Sequence, residues 1–221
     1  MYVLRTLANA TECFVAQMTG ARGDNATFGL SSHSTHYALL EGMRRIENSE
    51  AEMALVGASN GIGVFSALIV GNFNQAGFEW RESEGAGILL LESGESASRS
   101  GRRPLAEIVS IHSGKSIPDI FSDRPAAPPY QGFQHDLADF CLYSGGLSRD
   151  DHRLEEKACK GKWQATFSWF NQLGITGNNA ILLNVATAVA LFKKGRADQV
   201  DCLNRDSFGR ESFLKLRAVE S

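Results

Sequence analysis

The sequence predicts an α/β fold, and two patterns carry that prediction. Short apolar runs of the buried-strand type, MALV at 53–56 and GAGILLL at 85–91, alternate with longer stretches of helical period at 7–18, 35–46 and 180–194. The composition agrees: 221 residues with 43% hydrophobic and 21% charged side chains suit one large soluble α/β unit.

Taken in order, LANATECFVAQM predicts a helix over 7–18 that ends at Gly20. The turn-rich ARGDN then leads into a short strand over 26–30. Gly29, Ser31 and Ser32 turn that strand into a helix over 35–46, which Ser31 and Ser32 are expected to cap. The strand at 53–56 runs into a flexible SNGIG loop at 59–63 and a further apolar segment at 64–70. After the strand at 85–91, the basic turn RSGRR leads to LAEIVSIH over 105–112, which alternates as a half-buried strand does. These last two strands are expected to pair antiparallel. Four of the five prolines fall in 117–131, so no regular element is expected there. Beyond it come a helix over 133–143, a turn at Gly145 and Gly146, a charged helix over 153–160 and a strand within 163–169. The helix over 180–194 is apolar on every face, as a buried helix is, and Gly195 should stop it. Strands over 199–203 and 213–219, joined by a loop at 204–209, close the chain. The expected organisation is a first unit at 1–116, a connection at 117–131 and a second unit at 132–221.

Several function classes are disfavoured. A formal net charge of −3 gives no electrostatic case for nucleic acid or an anionic membrane. No apolar run reaches the roughly 18 to 20 residues a spanning helix needs, and MYVLRTLANATECF lacks the layout of a signal peptide. Cytoplasmic placement is the expectation. Cys13, Cys141, Cys159 and Cys202 show no CxxC spacing and read as reduced, mostly buried thiols. No phosphate loop or dinucleotide fingerprint occurs, so no cofactor is expected. His33 and His36 have metal-pair spacing without a third ligand motif, so no metal is expected either. His112, His135 and His152 read as surface or strand-end residues.

The stretch at 25–39, NATFGLSSHSTHYAL, holds the most information. A short run, a small-residue turn and an amphipathic helix are the plan by which α/β folds lift one side chain to a helix N-terminus, where the helix dipole stabilises developing negative charge. Together with AEMALVG at 51–57 and SEGAGILLLE at 83–92, this stretch resembles the β-ketoacyl synthases. Their pattern is (T/S)-A-C-(S/A)-(S/T)-G, then D-x-x-(L/I)-A-G-G, then G-E-G-A-G-x-L-x-L-E. The resemblance continues through GITGNNAILLNVATAVALFKKG at 174–195, similar to G-H-x-x-G-A-A-G with its alanine-rich helix. It ends at NRDSFGRESFLKL, similar to N-S-F-G-F-G-G-x-N with the last strand. It implies a thiolase-like layered α-β-α-β-α arrangement, shortened at its N-terminus, with the helices at 35–46 and 180–194 buried at its centre. The family's first strands and helices would be missing, exposing apolar edges for a partner to cover. A naturally short subunit and a piece of a longer reading frame both fit.

The resemblance also implies a cysteine and two histidines as catalytic residues. The cysteine position holds Ser32, no H-G-T-x-T loop occurs between Leu137 and Trp169, and Ile175 replaces the imidazole of G-H-x-x-G. No catalytic residue is therefore expected. The resemblance implies a non-catalytic, chain-length-factor-type subunit. It would pair with an active ketosynthase, and through it with an acyl carrier protein, in polyketide, aryl polyene or fatty-acid-like synthesis. Phe28, Ser32, His33, His36 and Tyr37 would then line the interface or the substrate tunnel. The alternative is an enzyme, a serine-dependent acyltransferase or thioesterase or a degenerate decarboxylase, using Ser32 with His33 or His36 as base.

Overall fold

The computed structural model describes residues 10–29, 31–61, 82–115, 137–144, 149–205 and 210–219. The apolar segment at 64–70, the proline-rich connection, His135 and the Gly145-Gly146 turn lie outside the described residues.

Helix α1 (Ala10–Thr19) comes first. A 3-10 turn (Ser31–His33) then opens α2 (Ser34–Glu47). Strands β1 (Met53–Asn60) and β2 (Gly85–Glu92) pair antiparallel in the register Leu55↔Leu90 and Val56↔Leu89. After β2 come α3 (Gly94–Arg99), β3 (Glu107–Lys115), β4 (Phe140–Tyr143), α4 (Arg149–Cys159), β5 (Ala165–Phe167), α5 (Phe170–Leu173), a 3-10 turn (Gly177–Asn179), α6 (Ala180–Lys193), β6 (Gln199–Arg205) and β7 (Arg210–Arg217). The second sheet has the order β3-β7-β6-β4-β5, with β4 parallel to β5 and β6 and the other pairs antiparallel.

Helices α2 and α6 fill the space between the two sheets. Leu39 of α2, Val56 of β1, Ile181, Val185 and Ala188 of α6, Val200 and Cys202 of β6, and Leu214 of β7 form one buried cluster. Alternation along the strands puts the neighbouring residues on the opposite face. There Cys141, Tyr143, Leu203 and Phe213 pack with Trp163 and with Cys159 of α4. The described residues thus make four stacked layers: the β1–β2 ribbon, the helix pair, the five-stranded sheet and α4. Gly42 sets the closeness of the first contact, since a Cβ there would stand 3.1 Å from Val56 and 3.2 Å from Leu91. Ala180, Ile181 and Leu182 in the first turn of α6 are buried and Leu183 is half-buried, and the exposed residues of the helix are Ala186, Ala190 and Lys193. Gly195 ends the helix at φ 58°, with the Arg196 N–H bonded to the Leu191 carbonyl at 3.0 Å.

Several expectations change. Residues 26–29 form no strand: they have no ladder partner, and all but Phe28 are exposed. Ser31 and Ser32 do not cap α2, because the 3-10 turn extends the helical path and His33 becomes the N-cap, without a side-chain bond. β1 runs on through Ser59 and Asn60, expected as loop, because they pair with Ala86 and Gly85. β2 and β3 do not pair; α3, capped by Ser93 accepting the Ser96 N–H at 3.1 Å, carries the chain to the other sheet, where β3 joins β7. Residues 140–143 form β4, not a helix, because both faces of this short run are buried between β5 and β6. Asn204 and Arg205, expected in a loop, extend β6 against Ser212 and Glu211. His152 is buried, its ring stacked between Tyr143 at 5.6 Å and Phe170 at 4.8 Å. Three cysteines are buried as expected, whereas Cys13 is exposed.

Candidate functional site

The turn that opens α2 is tied to the second half of the chain. The Asn204 side-chain amide donates to the Ser32 carbonyl at 2.9 Å, and the Thr35 hydroxyl donates to the Asn178 carbonyl. The Ser83 N–H and hydroxyl both donate to the Ile175 carbonyl, at 3.0 and 3.3 Å. These bonds bring Ser32 and Ile175 to one small cavity of about 10 Å³, lined also by Ser144, Thr176, Gly177, Ala180, Asn204 and Arg205.

Ser144 is the residue that the sequence reading missed. It ends β4, its hydroxyl donates to both oxygens of the buried Glu155 at 3.3 Å, and it accepts the Arg205 N–H at 3.2 Å. Its signal in the sequence was the Ser144-Gly145-Gly146 run directly after the apolar FCLY at 140–143, as at a strand end.

Chemically the cavity is poor. The Ser32 hydroxyl is more than nine-tenths buried, and no base among the described residues is hydrogen-bonded to it. His36 is fully buried, and neither of its ring nitrogens has a hydrogen-bond partner among the described residues. Burial, with smaller contributions from His33 and His112, pushes the His36 imidazole down to about 3. It is therefore neutral near pH 7. The His33 and His36 rings lie 6.0 Å apart, and no group of three or more metal-binding side chains occurs among the described residues.

The depressed His36 value has a consequence for stability. A folded-state value below the ordinary 6.5 means that stability is fully present above about pH 6.5 and is lost as pH falls toward 3. Thermal melts of the wild type should drop below pH 6.5, by up to about 1.4 kcal/mol per pH unit. His36→Leu should flatten that part of the profile; an equal slope in both proteins would remove His36 as its source.

A second, open cleft of about 590 Å³ lies between α2 and β3. Phe28, Tyr37, Leu40, Met43, Val109 and Ile111 form its apolar walls, with Glu41, Arg44 and Glu47 at its rim. The expected site residues thus divide: Ser32 lines the small cavity, Phe28 and Tyr37 line the open cleft, and His33 and His36 are buried in the core. His112 joins the cleft from β3.

No protein-family model matches the sequence, and no curated protein matches it. Solved structures do match. A type II polyketide synthase ketosynthase, in complex with its acyl carrier protein and bound to the hexaketide, is 17% identical over 96% of this chain and 63% of that one, with TM-score 0.75. The ishigamide ketosynthase/chain length factor is 19% identical over 97% of this chain and 62% of that one, with TM-score 0.77. An oxazolomycin ketosynthase domain of Streptomyces albus JA3453 is 14% identical over 98% of this chain and 51% of that one, with TM-score 0.79. The chain spans about half to two thirds of these relatives. Among the described residues no helix is long and apolar enough to cross a membrane. With nearly its whole length superposed on these proteins, the chain has the thiolase-like fold of the ketosynthases.

Proposed function

We propose that this chain is a non-catalytic, chain-length-factor-type partner of an active ketosynthase. One observation carries the reading. Ser32, Ser144 and Ile175 converge on a small cavity of about 10 Å³ whose lining offers neither thiol nor imidazole, while the open cleft of about 590 Å³ lies along α2. The first is far smaller than small-molecule sites; the second falls in their size range.

A partner surface is also in view. Met53, Leu55, Ile88 and Leu90, each 41–54% exposed, share one face of the β1–β2 ribbon. Among the described residues β1 pairs only with β2, so its outer edge is open as well. A ketosynthase subunit would cover this apolar surface, and an acyl carrier protein would reach the pair through that subunit. Aryl polyene, polyketide and fatty-acid-like synthesis all accommodate such a pair, in the cytoplasm.

The test is reconstitution with an active ketosynthase and an acyl carrier protein. Phe28→Trp and Tyr37→Trp should shift the product profile by at least one extension unit or weaken co-purification. An unchanged profile with intact pairing for both variants would exclude the cleft from the shared space.

A further inference from the structure

We propose that the small cavity at Ser32 is a binding site for one structural water, which bridges the turn opening α2 to the end of β6. The hydrogen-bond geometry specifies it. A carbonyl oxygen only accepts, so the 2.9 Å contact to the Ser32 carbonyl fixes the amide nitrogen of Asn204 on that side. Its Oδ1 is thereby turned away as an acceptor, and it is fully buried without a hydrogen-bond partner among the described residues. The Ser32 hydroxyl is in the same condition, and so is Arg205 Nε, whose nearest anion is the Glu211 carboxylate at 3.7 Å.

All three residues line the same cavity of about 10 Å³. A water fits that space, and a buried water has on average about three polar partners. Here it would donate to Asn204 Oδ1, accept from Arg205 Nε, and exchange a bond with the Ser32 hydroxyl. The buried charges disfavour an anion, because the Glu155 and Glu211 carboxylates accompany the single Arg205 guanidinium. The hydroxyl at the nucleophile position then serves to hold water between two elements far apart in sequence, which suits the non-catalytic reading and does not depend on it.

A high-resolution crystal structure of the wild-type protein should show one well-ordered peak about 2.7–3.2 Å from Ser32 Oγ and Asn204 Oδ1. Oxygen-17 relaxation dispersion should report a long-lived internal water in solution. Ser32→Ala should remove the peak and the long-lived signal and lower the melting temperature by about 2–8 °C. A dry or collapsed cavity in the wild type, a peak with the short contacts of a metal ion, or an unchanged peak and melt in Ser32→Ala would each overturn the proposal. The wild-type measurements decide it even where the variant fails to fold. An acyl adduct on Ser32 would instead overturn the functional reading, so the two failures are distinguishable.

Discussion

Presented with an acyl-carrier-protein thioester, this chain should carry no acyl group on Ser32, and its condensing rate should lie at least about 10⁴-fold below that of an active ketosynthase. The magnitude follows from what the cavity lacks. General acid–base help is worth about 10²–10⁴-fold, and one oxyanion donor about 10²–10³-fold. Ser32 has neither thiol reactivity nor a base within hydrogen-bond reach among the described residues. Ser144 is engaged with Glu155 and the Arg205 N–H, and Ile175 offers no proton at all. Intact-protein mass spectrometry after incubation, with product profiling of the reconstituted pair, checks both statements. Ser32→Ala should leave the pair's output nearly unchanged. Loss of product with the complex intact would replace the scaffold reading with a serine enzyme.

Asp201→Ala should destabilise the fold by about 3–5 kcal/mol, because it strands a buried cation. Asp201 is fully buried on β6, where its Oδ2 accepts the Trp163 indole N–H at 2.7 Å and the Ala138 N–H at 2.9 Å. Lys215, buried opposite it on β7, lies 3.9 Å from Oδ1. Burial raises the Asp201 carboxyl above its ordinary range, against the opposing pull of the Trp163 and Ala138 hydrogen bonds and of Lys215. Removing the carboxylate leaves the two N–H donors without an acceptor and the ammonium without its counter-charge. Asp201→Asn, which keeps one oxygen for Trp163, should cost less than Asp201→Ala. Chemical denaturation of the three proteins checks the order, and a change under about 0.5 kcal/mol for the alanine variant would show that Lys215 finds another acceptor.

What could be read in the sequence is what short-range chemistry controls. The alanine- and leucine-rich run ending at Gly195 has one good local solution, and α6 (Ala180–Lys193) is that helix. The glycines around Ile88 bound a run that can only be a strand of this length, and β2 (Gly85–Glu92) is that strand.

Long-range contacts decided the rest. Residues 140–143 are helical or extended by local preference alike; burial on both faces between β5 and β6 makes them a strand, and only then does Ser144 reach Ser32 and Ile175. Adjacency in sequence grouped His33, His36 and Tyr37, yet successive helical positions point to different sides, so one turn sends Tyr37 to the open cleft and His36 into the core. The sequence by itself determined the fold class and which residue types the turn before α2 presents, since both follow from residue identity and local period. Which residues share a cavity, and how little room that cavity leaves, was decided by the tertiary structure alone, because closing it requires contacts such as Asn204 to Ser32 across most of the chain.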